Sequence, residues 1–208
     1  MVEYLEACGC ILAGGETAEM PGMVAEGVIE LSGFAIGAAN KEDLIDPTTI
    51  ERGDVLIGFP SAGFHANGFS LVRRVIEAEK LHFTEDEYRT LLLPTRLYHE
   101  EAFALRKKVP SLRAMSHITG GGLPENLGRL LVFGRHGAKL KLPRWENEVV
   151  QKVLAHVDPQ DAQHTFNMGF GWVAMVAAGD VDKALGCGRG AVVLGEIDSS
   201  GEVRVETR

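Results

Sequence analysis

Residues 54–72 read DVLIGFPSAGFHANGFSLV and decide the fold of the chain around them. The apolar run at residues 54–59 predicts a buried β-strand, because a continuous hydrophobic run is typical of a strand covered on both faces. Residues 69–80 then have apolar side chains at helical spacing. The stretch therefore predicts a strand, a loop at the carboxyl end of that strand, and a helix.

Hydrophobic periodicity predicts further elements along the chain. Helices are expected at residues 2–7, 84–93, 98–107 and 146–156, and from about Pro124 onward. Strands are expected at residues 10–13, 27–39, 112–118, 138–142, 171–178 and 191–197, with an edge strand at 202–206. Strands and helices alternate without a strict βαβ rhythm, which indicates an α+β fold with a mixed sheet flanked by helices.

A polar connection at residues 43–52 is the candidate domain boundary, with Asp46-Pro47 as its turn signal. It predicts two parts, residues 1–45 and residues 46–208. The total of 208 residues suffices for one large domain or for a domain plus part of another.

The formal net charge is −8, and no basic run occurs. This argues against binding to nucleic acid or to an anionic membrane, although backbone N–H groups could still hold a phosphorylated small molecule. The absence of a signal peptide and of a long apolar run predicts a cytoplasmic protein. Cys8, Cys10 and Cys187 are expected to be small buried side chains in a reducing compartment.

Residues 14–22 read GGETAEMPG and form the first candidate functional loop. Paired glycines allow the backbone to approach an anion, Glu16 and Glu19 could hold a magnesium ion or orient a nucleophile, and Thr17 could donate to phosphate. On composition alone, the alternative of a plain connector with two solvated glutamates is favoured.

Residues 61–68 read SAGFHANG and run directly into the predicted helix. N–H groups at the amino end of a helix can bind phosphate, and His65 could act as an acid, a base or a charge donor. The alternative is that Asn67 merely caps the helix and that His65 lies on the surface.

Two further loops carry polar groups beside glycines. Residues 117–122 read HITGGG, and three successive glycines cost so much chain entropy that a role in ligand binding is favoured. A satisfied core histidine at position 117 is the alternative. Residues 165–171 read TFNMGFG, in which Asn167 could reach a ribose or an amide, or could stabilise its own turn.

Taken together, these loops resemble one family, the phosphoribosylformylglycinamidine cyclo-ligases, also called aminoimidazole ribonucleotide synthetases. The order and spacing of six motifs carry the resemblance over almost the whole chain. The motifs are GGETAEMPG at 14–22, RGDVLIG at 52–58, HANGFSLVR at 65–73, LPTR at 93–96, HITGGG at 117–122 and TFNMG at 165–169.

The resemblance implies an amino-terminal α/β domain that pairs across a homodimer, a carboxy-terminal α+β domain, and an active site between them. Residues 1–45 would then be the end of the ATP-binding domain. The implied reaction uses ATP and Mg²⁺ to phosphorylate the formyl amide oxygen of formylglycinamidine ribonucleotide. An amidine nitrogen then attacks that carbon, phosphate leaves, and the imidazole ring of aminoimidazole ribonucleotide closes.

The resemblance also implies roles for individual residues. His65, Asn67 and His117 would be catalytic. The residues expected at the nucleotide are Gly14, Gly15, Glu16 and Thr17, with Glu16 also expected at magnesium. The residues expected to bind the phosphoribosyl substrate are Ser61, Gly63, Thr119, Gly120, Gly121 and Asn167.

The sequence departs from the family by lacking its upstream segment, which includes a mobile ATP loop and metal-binding aspartates. We therefore expect this chain to be inactive alone. One alternative is another ATP-dependent enzyme of the superfamily, such as formylglycinamidine synthase, selenophosphate synthetase, thiamine-phosphate kinase or the hydrogenase maturation factor. A different class of alternative is a non-catalytic half-protein used in assembly or regulation.

Overall fold

The computed structural model describes residues 2–207, and the chain divides after Leu44 into two compact units. The first unit begins with the predicted helix α1 (Val2–Ala7), which is followed by Gly9 at a φ of 68°. A left-handed glycine is the usual C-terminal stop of a helix. Beyond it, the unit contains an isolated bridge between Pro21 and Val24 and a short 3-10 turn at Lys41–Asp43.

The strands predicted at residues 10–13 and 27–39 are wrong, because the structure has neither. A strand needs a neighbour for its backbone N–H and C=O groups, and within residues 2–44 no strand lies beside these segments. Their apolar side chains are correspondingly uncovered: Ile29 is 85% exposed and Phe34 is 94% exposed.

The second unit begins at Ile45 and contains the sheet and the other helices. Its helices are α2 (Phe69–Ala78), α3 (Glu85–Leu91), α4 (His99–Lys108), α5 (Gly122–Leu131), α6 (Glu148–Leu154), α7 (Pro159–Thr165) and α8 (Val181–Leu185). Its strands are β1 (Val55–Pro60), β2 (Leu112–His117), β3 (Gly137–Leu142), β4 (Phe170–Val176), β5 (Val192–Asp198) and β6 (Val203–Thr207).

The six strands form one sheet in the order β2-β4-β1-β5-β3-β6. The pairings are antiparallel except for β3 with β6, which is parallel. This confirms the predicted mixed sheet flanked by helices, and β6 lies at an edge as expected. Strand β1 is interior to the sheet. Leu56, Ile57 and Phe59 are all fully buried, because successive side chains of the strand point to opposite faces of the sheet and each face is covered by an apolar core.

Each face of the sheet packs on its own helices. On one face, Leu123 and Leu127 of α5 pack with Leu56 of β1 and Met175 of β4. On the other face, Ile57, Phe59 and Ala174 pack with Leu105 of α4 and Ala184 of α8. Strand β1 therefore ends between two cores, and the loop that follows it starts from a rigid position.

A third apolar cluster joins α2, α3, α6 and α7 around Phe64 and Phe166, which are both fully buried. Helix α3 has the predicted capping box: Glu87 N–H donates to Thr84 Oγ1 at 3.2 Å, and Thr84 N–H donates to Glu87 Oε2 at 2.7 Å. Helices α7 and α8 were not predicted. Asp158 caps α7 and Pro159 occupies its first turn, a helix-start signal present in the sequence.

The three cysteines do not share one environment. Cys187 is buried as expected, but Cys10 is exposed and Cys8 is half-buried, so the prediction of three buried thiols is wrong. Both of the latter lie in the first unit, beyond the packed cores. Among residues 2–207 there is no helix with the length and apolar character needed to span a bilayer.

Gly122 is required by a close approach between α5 and α7. Its φ is 59°, and a Cβ placed there would lie 1.9 Å from the carbonyl oxygen of Gln163. Gly128, on the same helix, has no described heavy atom within 4 Å of such a Cβ. Substitutions at the two positions therefore distinguish the effect of the close packing at Gly122 from the effect of helix propensity alone at Gly128.

We predict that Gly122→Ala lowers the free energy of unfolding by more than about 1 kcal/mol, because the new methyl group collides with backbone and the left-handed φ becomes strained. The control Gly128→Ala should be neutral or stabilise by up to about 1 kcal/mol. Urea unfolding of both variants measures the difference, and equal midpoints would contradict the close contact.

Candidate active site at the ends of β1 and β2

His65 lies in the loop that links β1 to α2, and the backbone holds it in an unusual conformation. Its φ is 61°, a left-handed value that is uncommon for a residue with a side chain. The residue is only 3% exposed, so the alternative of a surface histidine is wrong. Its Nε2 accepts hydrogen bonds from Ala62 N–H at 3.1 Å and, more weakly, from Arg96 N–H at 3.5 Å.

The carbonyl oxygen of Pro60, at the end of β1, accepts two side-chain hydrogen bonds. Arg96 Nη1 donates to it at 3.0 Å, and the Tyr98 hydroxyl donates to it at 2.9 Å. The other arm of the Arg96 guanidinium pairs with Glu101 of α4, whose side chain is 10% exposed. This network fixes the start of the His65 loop against the segment that leads into α4.

Four aromatic and imidazole rings meet beside this network. The His65 and His117 ring centroids are 6.5 Å apart. Tyr98 stacks on Trp172 at 5.7 Å, and His117 lies 6.0 Å from Trp172. The ends of β1 and β2 therefore bring together the two imidazoles that the sequence analysis selected.

Burial and neighbouring charge determine the protonation of these groups. Desolvation, followed by the nearby His117 and Arg96, lowers the pKa of His65 to about 4. His117 is exposed as a residue, but the part of its ring that packs on Tyr98 and Trp172 is desolvated, which lowers its pKa too. Desolvation raises the pKa of Tyr98 well above its ordinary value. Near pH 7, the imidazoles of His65 and His117 and the hydroxyl of Tyr98 are therefore all uncharged.

The triglycine segment after β2 is held by Asn126 of α5. The Asn126 amide donates to the carbonyl oxygens of Gly122 at 2.7 Å and Gly120 at 3.2 Å, while Thr119 Oγ1 donates to Asn126 Oδ1 at 3.3 Å. Gly121 is the left-handed N-cap of α5, with a φ of 90°. Gly122 thus has a packing role, whereas Gly120 is exposed and no described atom crowds it.

Asn167 connects the loop after α7 to the loop after β1. Its Nδ2 donates to the Gly63 carbonyl oxygen at 2.8 Å, and its Oδ1 accepts from Gly169 N–H at 2.9 Å. Asn167 is 2% exposed, so these contacts give it the turn-stabilising role that was one of the two alternatives. A substrate role for Asn167 and Gly63 stays a prediction.

Asn67 does not cap α2, because the N-cap of that helix is Gly68 at a φ of 78°, without a side-chain cap. Asn67 is half-buried and lies two residues after His65 in the same loop. Ser61 N–H donates to the Gly169 carbonyl oxygen at 2.8 Å, but its buried Oγ has no hydrogen-bond partner within residues 2–207. The Ser61 hydroxyl therefore keeps free hydrogen-bonding capacity for a ligand.

The residues predicted at nucleotide and metal lie in the first unit. Gly14, Gly15, Glu16 and Thr17 are exposed, and the segment has no helix or strand. In the part of the chain that the structure describes, no group of three or more His, Cys, Asp or Glu side chains could hold a metal ion. The assignments of these residues to ATP and Mg²⁺ stay predictions.

Four polar or aromatic residues that build the site had no role predicted from the sequence: Arg96, Tyr98, Glu101 and Asn126. Arg96 lay inside a quoted motif but was given no role. A usable signal was Glu101, a carboxylate in the predicted helix that falls on its buried side with Leu105, four residues on. A buried charge needs a partner, and the nearest upstream cation is Arg96.

A cleft of about 430 Å³ lies beside Trp145, lined by apolar side chains such as Leu154 and Met168 together with Arg144. Neither imidazole lines it. Trp145 packs edge-to-face on Phe64 of the loop after β1, with ring centroids 5.6 Å apart. Because it contains no buried polar atom without a partner, we place the candidate site at the imidazole pair.

We predict that the protein loses stability as the pH falls from 7 to 5. The ordinary histidine pKa of 6.5 applies to the unfolded chain, whereas the folded pKa of His65 is about 4. The unfolded state therefore binds more protons in this window, and the free energy of unfolding should fall by about 2 kcal/mol. Urea unfolding at the two pH values measures it.

His65→Asn should flatten this pH dependence, leaving the smaller contribution of His117, which has the same sign. The matched control His164→Asn changes an exposed imidazole and should keep the full slope. An unchanged slope in the His65 variant would contradict the buried neutral imidazole.

We also predict that Glu101→Leu destabilises the fold by about 3 kcal/mol, because Arg96 is left beside an apolar side chain without its counter-charge. The side chain of Arg96 is 28% exposed, so solvent limits the loss to the lower end of the range for buried pairs. Glu100→Leu changes the exposed neighbour and serves as the control. Equal thermal midpoints for the two variants would show that the pair is not structural.

The chain is similar to one family model and to named relatives of that family. Residues 51–208 match the family model described as AIR synthase related protein, C-terminal domain. A phosphoribosylformylglycinamidine cyclo-ligase of Sorangium cellulosum is 42% identical over 224 residues, covering 100% of this chain and 64% of the relative. One from Exiguobacterium sp. is 40% identical, covering 95% of this chain and 61% of the relative. The chain thus spans less than two thirds of the length of these relatives.

Solved structures share the fold at low sequence identity. The hydrogenase maturation protein HypE of E. coli has a TM-score of 0.55 and 20% identity, covering 77% of this chain and 48% of that one. PurL of T. maritima complexed with FGAR has a TM-score of 0.51 and 15% identity, covering 81% of this chain and 28% of that one. These likenesses support the architecture and nothing finer.

The family match extends over three quarters of the chain and includes both strands that end at the imidazole pair. Every residue of the ring cluster and of the Pro60 network lies within the matched range. The chain therefore belongs to the family of AIR synthase related proteins and contains their carboxy-terminal domain.

Proposed function

We propose that this chain contributes the carboxy-terminal part of a phosphoribosylformylglycinamidine cyclo-ligase, which closes the imidazole ring of aminoimidazole ribonucleotide in purine biosynthesis. The observation that carries the proposal is the meeting of His65, in the loop after β1, with His117, at the end of β2, with ring centroids 6.5 Å apart. The names of the curated relatives at 40–42% identity identify the reaction to be tested.

The proposed chemistry suits the groups that this site presents. Phosphorylation of the formyl amide oxygen turns a poor leaving group into a good one, and ring closure then spreads negative charge over oxygen atoms as phosphate departs. Neutral hydrogen-bond donors beside that oxygen stabilise the charge. Ser61 Oγ and His65 Nδ1 are buried polar atoms without partners among the described residues, and they stand in the loop where such donors are needed.

His117 would have a different task from His65. It is exposed at the end of β2, so that a substrate can reach it, and it is followed by the open Gly120. An imidazole at such a position can accept the proton that the attacking amidine nitrogen loses. Asn67, half-buried and not engaged as a helix cap, would orient the ribonucleotide from the other loop.

The proposal includes ATP as co-substrate, Mg²⁺ as its counter-ion, a homodimeric assembly and a cytoplasmic location. PurL of T. maritima, which shares this fold, has been solved in complex with AMPPCP. Gly14, Gly15, Glu16 and Thr17 are the residues of this chain proposed at the nucleotide, with Glu16 at the metal. We further propose that ring closure needs the part of the relatives that this chain does not span.

The test is a ring-closure assay on the 208-residue chain, and on this chain extended by the part of the Sorangium cellulosum relative that it does not cover. We expect aminoimidazole ribonucleotide only from the extended chain. His117→Gln in that protein should lower kcat by about 100-fold or more, whereas the control His164→Gln, at an exposed position, should keep full activity.

Two outcomes would overturn the proposal. If the extended chain ignores formylglycinamidine ribonucleotide but turns over selenide or thiamine phosphate, it belongs to another activity of the superfamily. If it binds none of these substrates, as measured by isothermal titration, the non-catalytic half-protein becomes the better interpretation.

A further inference from the structure

The two ring nitrogens of His65 are in different situations, and this difference fixes the tautomer. Nε2 accepts the N–H of Ala62 at 3.1 Å and faces the N–H of Arg96 at 3.5 Å. A nitrogen that accepts a hydrogen bond from a backbone N–H has its lone pair in use and carries no proton. The proton of the neutral ring must therefore be on Nδ1.

Nδ1 is buried, and it has no hydrogen-bond partner among residues 2–207. His65 as a whole is 3% exposed. Folded proteins rarely bury an N–H group without an acceptor, because the group loses its bond to water and gains nothing. Ser61 Oγ, four residues earlier in the same loop, is a second such atom.

The groups that face His65 explain why the ring stays neutral. His117 approaches from β2, and Arg96 and Tyr98 approach from the segment before α4. A Cβ at Gly171 of β4 would lie 2.4 Å from the His65 ring carbon Cε1 and 3.0 Å from Nδ1, so no side chain fits on that side. Glu101 directs its charge to Arg96 rather than to the imidazole.

Among residues 2–207, no carboxylate contributes to the charge environment of His65, and Arg96 disfavours an imidazolium. Together with burial, these neighbours lower the pKa of His65 to about 4. The Tyr98 hydroxyl donates to the Pro60 carbonyl oxygen, and its oxygen does not accept from His65 Nδ1, which has no partner among residues 2–207. The Nδ1–H group thus lacks an acceptor among residues 2–207.

We propose that His65 acts as a neutral hydrogen-bond donor, presenting Nδ1–H to an oxygen atom of the substrate on which negative charge develops, and not as a base or a cation. The identity of that oxygen rests on the proposed function, whereas the tautomer does not. No proton is transferred in this role. Ser61 Oγ provides the second donor, and Arg96 and Tyr98 are positioning residues that act through Pro60.

The tautomer can be measured on the 208-residue chain without any assay of activity. Long-range ¹H–¹⁵N correlation spectra of histidine-labelled protein distinguish a protonated from an unprotonated ring nitrogen. We expect Nδ1 of His65 to be protonated and Nε2 unprotonated, with the ring staying predominantly neutral from pH 8 down to pH 5. His65→Asn and His65→Gln, each compared with wild type, assign the signal. An Nε2–H tautomer, or a doubly protonated ring at pH 6, overturns the proposal.

The donation itself is tested with inorganic phosphate, the simplest oxyanion. Its titration into the same chain should shift the Nδ1–H resonance of His65. The amide of Asn places an N–H close to the position of Nδ1, whereas that of Gln reaches toward Nε2. His65→Gln should therefore weaken phosphate binding at least fivefold, and His65→Asn less than twofold. No shift of the Nδ1–H resonance, or equal losses in two folded variants, contradicts the donor role.

Failure of the proposed function would look different. If the extended chain lacks ring-closure activity while the tautomer and the phosphate-dependent shift are as expected, the donor is real and the reaction is misassigned. If ring closure occurs but His65 is an Nε2–H tautomer, the reaction stands and this inference is wrong. If it occurs with the expected tautomer, His65→Gln should lower kcat at least tenfold more than His65→Asn.

Discussion

The carbonyl oxygen of Pro60 is the point on which the candidate site depends. It lies at the end of β1, where the strand leaves two apolar cores, and it accepts hydrogen bonds from both Arg96 and Tyr98. These two bonds join the loop after β1 to the segment before α4. Tyr98 then stacks on Trp172 of β4, and the ring cluster that contains both imidazoles is assembled around it. Since β1 is an interior strand, this point has little freedom to move.

As a consequence, the two histidines lie in different environments and are suited to different roles. His65 is buried, backbone-bonded and left-handed, which suits a fixed donor that need not exchange protons. His117 ends β2 at the surface, beside a glycine segment that Asn126 holds in place. One imidazole is therefore rigid and neutral, and the other is accessible. We interpret their closeness as functional, because folded proteins rarely leave a buried N–H group without an acceptor.

The sequence predicted most of the second unit, because its signals are local. The continuous apolar run of β1, the capping box of α3 and the glycine turns can each be read from a few adjacent residues. The network around Pro60 could not be read in this way, since Arg96 lies 36 residues and Tyr98 38 residues beyond that carbonyl. The strands expected at residues 10–13 and 27–39 failed for the converse reason: their apolar pattern is local, but a strand also requires a neighbour that the pattern does not supply.

The central claim is that the loops after β1 and β2 form one binding site for a ribonucleotide. The most direct measurement is a titration of aminoimidazole ribonucleotide into the uniformly ¹⁵N-labelled chain, followed by its backbone amide resonances. The account predicts that the amides of residues 61–68 and 117–121 shift together, with a single dissociation constant. Shifts confined to the cleft beside Trp145, or two loops that respond with different affinities, would contradict it.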